Sequence, residues 1–390
     1  MSQLSSKLDF FQESVIREMT RKAIHHDAIN LSQGMPDYSP PEELITGLLK
    51  AMKEEIHQYS ITYGRYDLRK KIADKFRNYN KIKLDPEHEI TVTCGASEAL
   101  SSSILAVTDP KDEILILEPW YENYVPLTHL AEGKPIFVPL SSDDFSLDQE
   151  KMLEKTTEKT KAIIINSPHN PTGKVFTKDE LKFISDLCVD NDLIAITDEI
   201  YEYILFDGKK HVSLASISDM FDRTITVSGF SKTYSITGWR VGYVGADIDI
   251  MTGIRKVHDY LTVCAPSFLQ YAVLKAFDLQ KEYFAELIKR YQENRDFLVS
   301  ELEKLGFNVI IPAGAYYLFA DISDFKMSDK TFANFLVEEK GVATVPGSSF
   351  YQKDSRTSKE GERFVRFTFS HKIETLEKAI TRIKRKIEKM

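Results

Sequence analysis

Lys232 sits in the run Ser228-Gly-Phe-Ser-Lys-Thr-Tyr-Ser-Ile-Thr-Gly-Trp-Arg-Val-Gly-Tyr243, directly after the apolar stretch Thr224–Val227. A lysine at a strand end, among small residues, loses its proton readily, and the neutral amine condenses with an aldehyde. Arg240, eight residues on, offers a planar fork that fits a phosphate. Taken singly, such a lysine is more often a solvated turn residue, so its company decides. Asp198, in Asp198-Glu-Ile-Tyr201, closes Leu193–Thr197, and ligands of open α/β sheets bind at strand carboxyl ends. A carboxylate there can hold a heteroaromatic nitrogen protonated and turn its ring into an electron acceptor. The bland role for the same residue is the cap of a following helix.

Three further elements carry polar groups at comparable places. Asn166-Ser-Pro-His-Asn-Pro-Thr-Gly173 follows Ala162–Ile165, and its prolines and glycine shape a loop that presents the Asn170 amide. Cys94-Gly-Ala-Ser-Glu98 joins a strand to a helix, so the N–H groups around Gly95, Ala96 and Ser97 form an anion seat or simply a helix start. Near the C-terminus, Arg363 and Arg366 are three apart, so strand alternation sends them to opposite faces. One can grip a carboxylate bidentately, while the other pairs at the surface.

These groups need a scaffold. Seven short apolar runs, Ile90–Cys94, Ile114–Leu117, Ile136–Val138, Ala162–Ile165, Leu193–Thr197, Thr224–Val227 and Val241–Val244, read as strands buried on both faces of a mostly parallel sheet. Helical patterns such as Ser97–Val107 and Lys178–Cys188 alternate with them. After about residue 275 the pattern changes. Phe284, Ile288, Tyr291, Leu298, Leu302 and Leu305 step at helical spacing, and Gly306 stops that helix. Short strands follow at Val309–Ile311, Tyr316–Ala320, Ala343–Val345 and Phe364–Phe369, before a closing helix. The fold class is therefore α/β: a large domain with a seven-stranded sheet flanked by helices (45–280), plus a smaller α+β domain from 281–390, with which segment 1–44 is expected to pack.

Bulk properties exclude other classes. The 390 residues carry a formal charge of −8, which disfavours a nucleic-acid partner, and the basic run Arg382–Lys389 reads as a solvated helix face. No apolar run approaches the ~20 residues of a membrane span, and the first residues lack the apolar core of a signal peptide. Cys94, Cys188 and Cys264 are widely spaced without a metal-ligand pattern, as in a reducing compartment. A cytoplasmic protein is expected, with no metal.

The Ser228–Tyr243 string resembles the cofactor-attachment motif of the class I/II aminotransferases, enzymes built on the fold type I scaffold around pyridoxal 5′-phosphate, and the resemblance covers essentially the whole chain. It implies that Lys232 anchors the cofactor and acts as general base and acid. It implies that Asp198 faces the pyridine nitrogen, that Asn170 and Tyr201 reach the ring oxygen, and that Tyr121, with Trp120 as the rival, stacks on the ring. Gly95, Ala96, Ser97 and Arg240 would hold the phosphate. Gly229 stands where some relatives have a phosphate-binding serine, so Ser228 or Ser231 takes that part. Gly34 and Arg366 would meet the substrate carboxylate, with Asn170 beside them. Tyr59 would reach the phosphate of a neighbouring subunit, which implies a homodimer with shared active sites.

The implied reaction moves an amino group from an L-amino acid to a 2-oxo acid by a ping-pong mechanism. Phe11, Ile16, Tyr63 and Tyr124 suggest an apolar, aromatic lining, and no arginine is assignable to a distal carboxylate. Aromatic, methionine-like or other neutral substrates are expected. The alternative on the same fold is a β C–S lyase or another non-transaminase enzyme, because geometry above the ring decides which bond breaks. A regulator would carry a DNA-binding domain, for which no basic recognition helix is present.

Overall fold

The computed structural model describes residues 4–54, 56–353 and 355–387. Helix α1 (Val15–His25) begins at a Ser14 cap and leads into strand β1 (Ile29–Asn30). The seven apolar runs then form β2 (Ile90–Thr93), β3 (Glu113–Glu118), β4 (Lys134–Pro139), β5 (Thr160–Asn166), β6 (Ile194–Asp198), β7 (Thr224–Gly229) and β8 (Gly242–Gly245). They build one sheet of order β2-β8-β7-β6-β5-β3-β4, in which β8 alone runs antiparallel to its neighbours. Continuous apolarity has its expected cause: the inner strands are buried between helices on both faces, while the edge strand β4 is mostly half-buried.

Register is what gathers the chemistry. Asn166 pairs with Asp198, and Asp198 with Val227, so the loops leaving β5, β6 and β7 emerge side by side at the carboxyl edge. Helix Ala96–Val107 follows β2 and packs across β6, β7 and β8. Its approach depends on Gly242, where an added Cβ would lie 2.5 Å from the backbone of Gly95 and Ala96.

The remaining strands are β9 (Asn308–Val309), β10 (Tyr317–Asp321), β11 (Val342–Ala343), β12 (Val345–Pro346) and β13 (Phe364–Thr368). Their four-stranded sheet has the order β12-β13-β10-β9, while β1 pairs parallel with β11. That pairing ties the N-terminal segment to the C-terminal part of the chain. Helices Lys281–Lys304 and Ile373–Ile387 cover this layer, burying Leu287, Tyr291, Leu298, Leu376 and Ile380. The basic run starts in the last helix; positions 388 and 389 lie outside the described residues.

Two expectations need correction. Ala343–Val345 is not one strand, because Ala343 pairs with Asn30 whereas Val345 pairs with Arg366. The run Val309–Ile311 contributes only the short β9. Among the described residues no helix is long and apolar enough to cross a membrane.

Candidate active site

A cavity of about 430 Å³ opens at the carboxyl edge of β5, β6 and β7, and Lys232, Asp198, Tyr201, Asn170, Tyr121, Ala96, Ser97, Ser231, Arg240, Gly34 and Arg366 all line it. Lys232 Nζ donates to the carbonyl oxygen of Gly34 at 3.3 Å. Burial pushes the Lys232 ammonium below its ordinary range, and the charges of Arg240 and Arg366 act in the same direction. A lysine so placed spends more time as the neutral nucleophile.

Asp198 is buried, accepts from the Tyr124 hydroxyl at 2.8 Å, and accepts from the Ile200 N–H at 3.3 Å. Desolvation lifts its carboxyl to about 6 against those two donors. No helix follows Asp198; residues 200–203 turn instead, so the capping role does not arise. The Tyr201 hydroxyl donates to the Tyr317 hydroxyl at 3.2 Å.

Asn170 is held by its backbone N–H on Asn166 Oδ1 at 2.7 Å, and its Oδ1 accepts from Arg366 Nη1 at 2.8 Å. That leaves the Asn170 amide N–H groups for the cavity. Arg366, on β13, is fully buried and donates through Nη2 to the Ser32 carbonyl at 2.5 Å. Its Nε has no partner, and no described carboxylate forms an ion pair with it. A buried guanidinium without a counter-ion is a demand for an anion. Arg363, on the other face, pairs with Asp321 at 2.6 Å, as alternation requires.

At the helix start, Gly95 has φ +79°, and a Cβ there would lie 2.4 Å from Arg240 Nη2. The guanidinium therefore sits against the N-terminal turn of Ala96–Val107, where N–H groups and helix dipole favour an anion. Gly34 is similarly constrained: a Cβ would lie 2.1 Å from the Tyr317 hydroxyl.

Not every expected residue joins this group. The Ser228 hydroxyl is buried and donates to Glu202 Oε1 at 2.6 Å, so Ser231, not Ser228, lines the cavity. Tyr59 is 81 % exposed and lies outside it. Trp120 stacks on Phe137 at 4.6 Å in the core, leaving Tyr121 at the cavity wall. Of the expected lining residues Ile16 is present, whereas Phe11, Tyr63 and Tyr124 are not part of the wall; the Tyr63 ring lies 3.9 Å from the Arg255 guanidinium. The sequence reading missed Tyr317, Gln33 and Arg17 in the wall, and Tyr124 as the partner of Asp198. Tyr124 was expected in the lining and Tyr317 in a strand, but nothing local in the sequence marks the contact that either makes.

The cavity fits pyridoxal phosphate on its own terms. The uncompensated Asp198 suits a cationic ring nitrogen, the Gly95–Arg240 cradle suits a phosphate, and Lys232 is an amine poised for an aldehyde.

Comparison with known proteins agrees. The family described as aminotransferase class I and II matches residues 26–383. The chain is 38 % identical over 386 residues to an aspartate aminotransferase of Pyrococcus abyssi, covering 98 % of this chain and 97 % of that one. It superposes on N-succinyldiaminopimelate aminotransferase from Mycobacterium tuberculosis with TM-score 0.94 at 35 % identity, over 97 % and 99 % of the two chains. It also matches YbdL from Escherichia coli, identified with a methionine aminotransferase function, with TM-score 0.93 at 32 % identity over 99 % and 100 %. The chain belongs to the class I and II aminotransferases, enzymes that act on amino acids with pyridoxal 5′-phosphate.

Proposed function

We propose that the enzyme transfers the amino group of a neutral L-amino acid, aromatic or methionine-like, to a 2-oxo acid in two half-reactions on one cavity. The observation that carries this reading is the buried Arg366, which lacks a carboxylate partner and opens onto the cavity of Lys232. Arg366 takes the substrate α-carboxylate, with Gly34 and Asn170 beside it, and so aims the α C–H bond at Lys232. Pyridoxal phosphate, when bound, supplies the aldehyde that captures the substrate amine and the ring that accepts the electrons of the broken bond. Lys232 anchors it, then removes the α-proton and redelivers it as general base and acid. Asp198 would hold the ring nitrogen, Asn170 and Tyr201 the ring oxygen, and Tyr121 would cover the ring. Ala96, Ser97, Ser231 and Arg240, with Gly95 as the turn, would hold the phosphate.

The visible spectrum tests this directly. An amino acid added without an oxo acid should convert the cofactor band of the purified enzyme to the shorter-wavelength aminated form. Lys232→Ala should lose the band. Pyruvate and ammonia, with the aldehyde form regenerated, would point to the lyase reaction instead.

We read the chain as two domains, 45–280 and 1–44 with 281–390, supported by the β1–β11 pairing. We also infer a homodimer in which Tyr59 completes the partner's phosphate site. Tyr59, Ile61, Tyr260 and Val263 are exposed apolar residues, and His258 Nε2 lies 2.8 Å from the Thr62 carbonyl, joining the two segments that carry them. Light scattering of the purified enzyme tests the dimer. The cytoplasm is the proposed location, in keeping with free Cys94, Cys188 and Cys264.

A further inference from the structure

Tyr317 opens β10, lies in the cavity wall and is almost fully buried. In the register of β10 with β13, Arg366 pairs with Phe319 and Thr368 with Tyr317. Tyr317 is thus two residues from the partner of Arg366 and shares its face of the sheet. That is the diagonal at which an aromatic and a long side chain can meet. They do meet: the Arg366 guanidinium lies 4.3 Å from the centre of the Tyr317 ring, a cation held against a π face. The far end of the same side chain serves the other half of the site. Its hydroxyl packs on Gly34, where an added Cβ would lie 2.1 Å from it, and accepts from the Tyr201 hydroxyl at 3.2 Å.

A phenol has one hydrogen to give and lone pairs with which to receive. The Tyr201 hydrogen is on Tyr317, while the Tyr317 hydrogen has no acceptor among the described residues. Burial, with Tyr317 and Tyr316 close by, holds the Tyr201 hydroxyl well above its ordinary range, so it donates as a neutral phenol. Once Tyr201 gives its hydrogen to the cofactor's ring oxygen, its own oxygen is free to accept, and Tyr317 stands within reach with a hydrogen to give. Both bonds then run in one direction, and each polarises the next.

We propose that Tyr317 is a positioning residue that joins the two halves of the site: its ring seats the Arg366 guanidinium, and its hydroxyl donates to Tyr201 and so strengthens the Tyr201 bond to the ring oxygen. The inference rests on the aminotransferase reading, with Tyr201 at the ring oxygen and Arg366 at the α-carboxylate. The two duties separate by substitution. Tyr317→Phe keeps the ring and loses the hydroxyl, whereas Tyr317→Leu loses both.

The test titrates the visible band of the full-length holoenzyme and its variants with pH. That band reports the proton shared by the Lys232 nitrogen and the ring oxygen. A donor to this oxygen stabilises the charge left when the proton departs, so losing the donor raises the midpoint. Asp198, Arg240, Arg366, Tyr121 and Tyr316 also face these groups and are the same in every variant. Tyr317→Phe should raise the midpoint by about half a unit, and Tyr201→Phe by about one to two units. Adding Tyr317→Phe to Tyr201→Phe should raise it no further, because the relay is already cut. Valerate, an unreactive monocarboxylate, reads the other duty. Its competitive inhibition constant should stay within twofold of wild type in Tyr317→Phe and rise about tenfold in Tyr317→Leu.

A Tyr317→Phe midpoint equal to wild type would overturn the inference. So would a shift of equal size in the Tyr201→Phe background, or valerate binding unchanged in Tyr317→Leu. All three outcomes leave the aminotransferase reading standing. A Tyr201→Phe midpoint equal to wild type would remove Tyr201 from the ring oxygen, and a wild type without a visible band would sink the aminotransferase reading; this inference falls with either.

Discussion

The hydroxyl of Tyr124 donates to Oδ2 of Asp198 at 2.8 Å; both side chains are buried, Asp198 in the cavity wall and Tyr124 behind it. This bond favours the ionised carboxylate that desolvation opposes. Tyr124→Phe should therefore push the Asp198 carboxyl higher still. The acid limb of the half-reaction pH profile should move up by about a unit, the size of one hydrogen bond to a charged group. A limb that does not move would mean that Asp198 is not the group being titrated.

The same carboxylate should mark the stability of the cofactor-free protein. Its pKa rises from the ordinary 3.8 to about 6 on folding. A group raised in the folded state stabilises below its unfolded pKa, and that contribution is lost as pH rises through the folded value. Between pH 4 and 6 the cofactor-free wild type should lose roughly 3 kcal/mol that Asp198→Asn does not lose, read as the difference between their urea midpoints across that window.

Arg366 should show activity and stability parting company. Arg366→Met removes a buried, uncompensated charge, so the melting temperature should hold or rise. The kcat/KM for every amino acid should nevertheless fall by about 10³-fold, because the bidentate grip on the α-carboxylate is gone. Thermal melts and half-reaction kinetics on one preparation check both halves.

Gly95→Ala should weaken cofactor binding. The position has φ +79°, and the new methyl would meet Arg240 Nη2 at 2.4 Å. Displacing that guanidinium should raise the cofactor Kd by about tenfold or more, measured by absorbance titration, alongside a folding cost of about 1 kcal/mol for the strained backbone.

Lys75 and Glu202 form a buried ion pair at 2.5 Å, shared with Ser228 and Asn80. Lys75→Met strands the Glu202 charge and should destabilise the protein by about 3–5 kcal/mol, whereas the double variant Lys75→Met/Glu202→Leu should recover most of that loss. Chemical denaturation of the two variants distinguishes a charge effect from simple loss of packing.

Much of this protein is written locally. Seven near-continuous apolar runs could only be strands buried on both faces, and Ala162–Ile165, Leu193–Thr197 and Thr224–Val227 each ended where a polar group had to emerge. The positions of Asn170, Asp198 and Lys232 on one edge follow from that pattern once the sheet is parallel. Arg363 and Arg366 were separable by alternation alone. What alternation could not say is which face would be inside; the pairing of β13 between β10 and β12 made that choice.

Other features depend on contacts between distant segments. Ser228 and Ser231 differ only in what the fold brings to them: Glu202, itself paired with Lys75, claims the first, and the cavity receives the second. Residues 343–345 look like one strand because local propensity does not know that two different sheets compete for them. Arg17 carries no signal in sequence, since an arginine in a helix is ordinarily solvated. Its place in the wall exists because Glu122, more than a hundred residues away in the chain, binds the start of α1. Local chemistry and periodicity thus determined the elements and the reactive residues, while long-range packing decided which side chains face the cavity and which of their charges remain unpaired.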